Sequence, residues 1–230
     1  MVFLPLADHN RLRSIDFQTV TVLIIVACTV VFLWQQSLGE EAGVRAIYAF
    51  GMIPSVLFGF DRLPPDVAVI SPPLTVITSM FLHGGWLHLI GNMLYLWIFG
   101  DNVEDELGHG RYVLFYLLCG VAAALTQAAV APTSDIPTVG ASGAIAGVLG
   151  GYVIRHPFAR VTVLAFIVLI ELPALVVIGF WILLQFMNGV LDQGGVGPGG
   201  GVAWWAHIGG FVAGVILINI MRPRRLAPWS

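Results

Sequence analysis

Ser142, His207, His88 and Asn92 are the residues of this chain whose types and placing suit covalent chemistry. Each lies in or at the end of an otherwise apolar stretch, where a polar or ionisable side chain is costly and is a functional candidate by default. Ser142 sits in Gly140-Ala-Ser-Gly-Ala-Ile-Ala-Gly147 and His207 in Ala206-His-Ile-Gly-Gly-Phe-Val-Ala-Gly214. His88 and Asn92 are four residues apart, which on a helix puts them on one face, one turn apart. A serine nucleophile needs a base within hydrogen-bond reach, and a tetrahedral oxyanion needs donors fixed where its charge develops; this set offers a nucleophile, a base and two donors. Taken singly, a Ser in an apolar helix is usually a packing residue, and an Asn is usually glue between helices. Only the combination at one depth points to catalysis, so the elements that carry these residues decide the matter.

Those elements are membrane spans. Hydrophobic residues make up 58% of the chain and charged residues 10%, against about 25% charged in ordinary soluble domains. A net charge of −3 gives no reason to expect a nucleic-acid partner. Apolar stretches bounded by polar, Gly or Pro signals fall at 17–35, 75–99, 111–130, 141–154, 161–187 and 203–221, and about 20 residues suffice to cross a hydrocarbon core. The expected fold is an all-α six-transmembrane-helix bundle with a long first outer loop, residues 36–74, preceded by a short N-terminal segment (1–16) and followed by a short tail (222–230). The fourth stretch is short but rich in small residues, which suits a helix enclosed by others. In the fifth, Pro173 disfavours helix at the residue before it, so the helix proper should begin near Pro173.

Arginines set the orientation, because short cytoplasmic loops carry an excess of them. With the N terminus inside, Arg11, Arg13, Arg111, Arg155, Arg160, Arg222, Arg224 and Arg225 are cytoplasmic, and Arg45 and Arg62 are outside. Both termini are then cytoplasmic. The second, fourth and sixth spans all run inward, so Ser142 and His207 near their outer ends, with His88 and Asn92 in the outer to middle part of theirs, can share one depth. Glycines recur every four residues at Gly143, Gly147 and Gly151, and again at Gly210 and Gly214, stripes that would let two helices pack closely. Apolar pieces of the first loop, such as Ala49 to Pro54, could lie in the interface. The loop after Asn188, with Gly194, Gly195, Gly197, Gly199, Gly200 and Gly201, reads equally as a linker and as a movable cap. Cys28 and Cys119 read as buried hydrophobes and not as a disulfide.

On Gly140-Ala-Ser-Gly143, Ala206-His-Ile-Gly-Gly210 with Gly214, and His83…His88…Asn92, together with the six-span layout, the chain resembles the rhomboid intramembrane proteases of bacterial type from about residue 17 to 221. The resemblance implies a multi-pass protein of the inner (plasma) membrane whose partners are transmembrane substrates and the bilayer, with no metal and no cofactor. It implies a Ser142/His207 dyad and an oxyanion hole made by the side chains of His88 and Asn92 and the backbone N–H of Ser142. His83 takes a structural or loop-anchoring role. Members of the family often carry an aromatic residue four positions after the serine, packed on the histidine; here that position is Ala146, so His207 must be oriented by something else, for example Trp204 or Trp205. A Gly-x-Ser-x-Gly hydrolase is excluded because position 144 is Ala, and a zinc protease because His-Glu-x-x-His is absent. A rhomboid-like pseudoprotease that binds transmembrane clients without cutting them is the main alternative, and a small-solute transporter, which would predict internal repeats, is a third class. Substrate identity, the cleavage residue and the oligomeric state have no signature in the sequence.

Overall fold

The computed structural model describes residues 3–192 and 202–223, and within them the chain is mostly helical. In chain order the elements are β1 (Phe3–Asp8), α1 (Thr19–Ser37), α2 (Glu40–Phe50), α3 (Pro54–Leu57), α4 (Pro72–Thr78), α5 (Trp86–Leu107), α6 (His109–Val130), α7 (Ser142–Arg155), β2 (Arg160–Ala165), β3 (Val168–Pro173), α8 (Ala174–Leu191) and α9 (Trp204–Met221). Among the described residues α1, α6, α8 and α9 are long and apolar enough to cross a membrane, so this is a multi-pass membrane protein. The glycines from Gly194 to Gly201, like Arg224 and Arg225, lie outside the described residues.

α5 and α7 complete the bundle for different reasons. The 22 residues of α5 span about 33 Å at 1.5 Å per residue, but its last turns carry Asp101, Glu104, Asp105 and Glu106. The last three hold neighbouring elements. Glu104 accepts hydrogen bonds from the backbone N–H groups of Val20 (2.9 Å) and Thr21 (2.8 Å), from the Thr21 hydroxyl (2.8 Å) and from His109 Nδ1 (2.6 Å). The N–H groups at a helix start have no partner in their own helix, so Glu104 caps α1 and places its charge at the positive end of that helix dipole. Asp105 receives the N–H groups of Arg13, Ser14 and Ile15 at 3.0, 2.6 and 2.9 Å. Glu106 pairs with Arg222 Nε at 3.0 Å and Arg155 Nε at 3.6 Å, tying the ends of α9 and α7 together. By contrast, the 14 residues of α7 span only about 21 Å, and every residue from Gly143 to Val153 is buried among α5, α6 and α9.

Three sequence expectations are corrected. The stretch 75–99 is two helices: Pro72 and Pro73 start α4, Gly84 and Gly85 interrupt, and α5 begins only at Trp86. The stretch 161–187 begins as a hairpin. β1, β2 and β3 form one antiparallel sheet, with Asp8 opposite Val161 and Arg160 opposite Pro173; alternate residues Val161 and Val163 are fully buried, and an apolar run rich in β-branched residues does not by itself separate strand from helix. α8 starts at Ala174, directly after Pro173, where the proline expectation put it. Finally, Met52 and Ile53 in the first loop are covered by protein instead of being open to lipid, with Met52 bridged to Thr138.

The sheet lies at the Glu104 end of the bundle, where the Tyr152 hydroxyl donates to Asp8 at 2.6 Å. Burial raises the Asp8 carboxyl above its ordinary value despite that bond. Burial likewise lowers His156 below 6.5, against the pull of Glu106.

Candidate active site

Ser142 is the first residue of α7, just after a turn at Gly140, whose φ of +122° is readily adopted only by glycine. The Gly140 N–H donates to the Ser79 carbonyl at 2.9 Å, which fixes the turn. A Cβ at position 140 would stand 2.6 Å from His88 Nε2, so the glycine also admits the histidine. Because α7 begins here, the N–H groups of Ser142 and the next residues have no carbonyl one turn earlier in their own helix.

His207 occupies the first turn of α9, with Nε2 2.8 Å from Ser142 Oγ. Glycines set that distance. A Cβ on Gly210 would overlap the Gly143 carbonyl oxygen, one on Gly214 the Gly147 carbonyl oxygen, and one on Gly147 would stand 3.0 Å from the Gly210 oxygen. The two stripes therefore face each other with backbone against backbone, and each begins within one turn of its reactive side chain. The other ring nitrogen, Nδ1, lies 2.8 Å from Gln185 Oε1 on α8. Trp181 lies beside the ring at a centroid distance of 5.6 Å and 41°, and Trp204 meets it edge-on at 6.4 Å. Trp205 turns to Phe186 instead.

His88 and Asn92 stand in the first two turns of α5. The Gly84 N–H donates to His88 Nδ1 at 3.3 Å; that nitrogen therefore holds a lone pair, and in the neutral ring Nε2 carries the hydrogen. The N–H faces the Gly140 turn. Asn92 Nδ2 is buried with no acceptor among the described residues, and a donor left so costs about 1–3 kcal/mol. All four residues line one cavity of about 790 Å³, whose walls include Met80, Tyr95, Ala123 and Trp204. A nucleophile bonded to a base, beside unpaired donors, is an arrangement able to carry acyl transfer.

His83 does not line the cavity but packs edge-on against the His88 ring at a centroid distance of 5.2 Å. Its backbone N–H donates to Gln35 Oε1 at 3.1 Å, its carbonyl accepts from Gln35 Nε2 at 3.3 Å, and its Nδ1 donates to the Phe81 carbonyl at 3.2 Å, so it anchors the segment between α4 and α5. Gln185 and Trp181 are the site residues that sequence reasoning missed. The signal existed: an amide in an apolar span is costly wherever it stands. Drawn to end at 187, however, the stretch made Gln185 a boundary residue, while α8 carries it one turn and more inside.

A family model described as Rhomboid domain matches residues 72–224. The chain is 33% identical over 152 residues to RHOMBOID-like protein 4 of Arabidopsis thaliana, covering 64% of this chain and 34% of that protein. It is 29% identical over 147 residues to Rhomboid protease GluP of Bacillus subtilis (strain 168), covering 62% and 26%. With Rhomboid protein 1, mitochondrial, of Saccharomyces cerevisiae (strain ATCC 204508 / S288c) it shares 28% over 185 residues, covering 74% and 51%. The chain thus spans about a quarter to a half of the length of these relatives. Bacterial, mitochondrial and chloroplastic proteins all appear among the relatives, so likeness selects no compartment.

Proposed function

From the premise that this chain belongs to the rhomboid family, we propose that it is an intramembrane serine endopeptidase that cuts transmembrane segments of other membrane proteins. The observation that carries the reading is the 2.8 Å approach of His207 Nε2 to Ser142 Oγ in a cavity lined also by His88 and Asn92. Ser142 Oγ adds to the scissile carbonyl carbon as its proton passes to His207 Nε2. The oxyanion accepts hydrogen bonds from the Asn92 amide, His88 Nε2–H and the Ser142 backbone N–H. Collapse breaks the C–N bond as the His207 proton goes to the leaving amine, and a water activated by the same nitrogen then releases the acyl group from Ser142. These side chains need no metal or cofactor for any of those steps.

The chain crosses the membrane six times in this reading, α5 and α7 adding to the four long apolar helices, with both termini cytoplasmic in an inner (plasma) membrane. Clustering of Arg13, Arg155 and Arg222 at the end of the bundle that holds β1 supports that orientation, since arginines favour the cytoplasmic side. Cysteine labelling from either side, in a chain lacking Cys28 and Cys119, tests it. The activity is tested with purified protein in detergent, a generic transmembrane substrate and a serine-directed covalent inhibitor. Wild type should cleave and be labelled at Ser142, and Ser142→Ala and His207→Ala should do neither while still folding. Cleavage surviving in Ser142→Ala overturns the mechanism, and a folded wild type that binds substrate without cutting it is a pseudoprotease.

A further inference from the structure

We propose that Gln185 is the positioning residue for His207: its amide oxygen fixes the imidazole in the tautomer and orientation that leave Nε2 free to take the Ser142 proton. This inference rests on the dyad reading above. α8 is a strongly apolar helix with few buried positions, namely Ala174, Ile178, Gln185 and Gly189. Residues 178, 185 and 189 fall on one helical stripe, seven and four apart, and Trp181 lies one turn before Gln185 on the same side. That stripe faces the bundle, Trp181 and Gln185 on it line the cavity, and Gln185 is its long polar side chain, only 8% exposed.

The amide can offer His207 only its oxygen. Gln185 Nε2 donates to the Trp181 carbonyl on its own helix at 3.4 Å, and a carbonyl only accepts, so the NH₂ group faces back along α8 and Oε1 faces the histidine at 2.8 Å. An acceptor there requires hydrogen on Nδ1, and in a neutral imidazole the lone pair then resides on Nε2. Nε2 is the nitrogen 2.8 Å from Ser142 Oγ. When the ring takes the serine proton, the Nδ1–H to oxygen bond becomes charge-assisted and strengthens, so the contact favours the protonated intermediate over the resting state. An aspartate would do the same with a full charge; the amide does it without adding a buried anion. The tilted Trp181 ring and the edge of Trp204 limit rotation of the imidazole, which answers the absence of an aromatic residue at Ala146. The base is thereby held by α8, while the nucleophile is held by α7.

Three variants of the full chain in detergent test this. Gln185→Leu should lower kcat by about 10-fold or somewhat more, the weight of one such hydrogen bond, but by less than the roughly 10⁴-fold loss that follows a forced wrong tautomer, with KM unchanged. Gln185→Glu should restore most of kcat and move the acid limb of the kcat–pH profile to higher pH, since a carboxylate at that place favours the imidazolium. Gln185→Met gives a second apolar replacement should Gln185→Leu fail to fold. Independently of cleavage, ¹⁵N-histidine spectra, with His207 assigned by comparison with His207→Gln, should show hydrogen on Nδ1 in wild type and mixed tautomers in Gln185→Leu. Wild-type kcat and an unchanged tautomer in the apolar variants would overturn the proposal, as would hydrogen on Nε2 in the wild type. A wild type with the Nδ1–H tautomer and no cleavage would sink the protease reading and leave the positioning intact.

Discussion

Replacing Gly210 by Ala adds one methyl group at the place where α9 touches α7. The new carbon would stand 2.9 Å from the Gly143 carbonyl carbon, 3.3 Å from Ala123 Cβ, and closer still to the Gly143 oxygen. Both nearest atoms are backbone, so no side chain can swing aside, and the helices must part by on the order of 1 Å. The wedge stands next to Ser142 on one helix and three residues from His207 on the other. A separation of that size carries the 2.8 Å contact past the usual hydrogen-bond limit of about 3.2 Å, and displacements of about 1 Å can cost on the order of 10²-fold in rate. Overpacking of this kind also destabilises by about 1–3 kcal/mol. Cleavage kinetics and thermal unfolding in detergent measure both effects. Gly179→Ala on α8 is the control, because nothing lies within 4 Å of its Cβ position and alanine is the better helix former; it should leave stability the same or slightly higher. Gly210→Ala with wild-type kcat would refute the idea that this backbone contact sets the dyad distance.

Asn92→Ala should lower kcat by about 10²- to 10³-fold with little change in KM, since the unpaired amide meets charge only in the transition state; a rise in KM alone would reassign it to substrate binding. Glu104→Gln should weaken the capping of α1 by about 3 kcal/mol, because a fully buried carboxylate that receives four donors becomes an amide with one acceptor oxygen. That corresponds to a melting midpoint about 6–12 °C lower, and a midpoint within about 1 °C of wild type would contradict it. The lowered pKa of His156 means that the folded state prefers the neutral ring. Its contribution is full above the unfolded value of about 6.5 and is lost as pH falls from there through the lower folded pKa, so melting temperature should drop as pH falls below about 6.5, and drop less in His156→Asn. An equal drop in both would remove His156 from the account.

Sequence alone determined the class of the molecule, because hydrocarbon tolerates few charges and each polar residue in an apolar stretch stands out. That is how Ser142, His207, His88 and Asn92 were legible, and the four-residue spacing of the glycines marked where two helices could meet. Pro173 marked the start of α8 because a proline restricts the residue before it. Composition could not mark the sheet. Val161 to Leu172 is as apolar as a span, yet its two halves pair with each other as a hairpin, and β1, a strand about 150 positions earlier in the chain, extends that hairpin into a sheet. Nor could spacing reveal that Glu104 caps α1 or that Gln185 reaches His207, since both contacts join residues far apart in sequence. Hydropathy measures what one residue does with its solvent. Which donor meets which acceptor is decided by how the helices pack, and here the orientation of the candidate base was decided at that level.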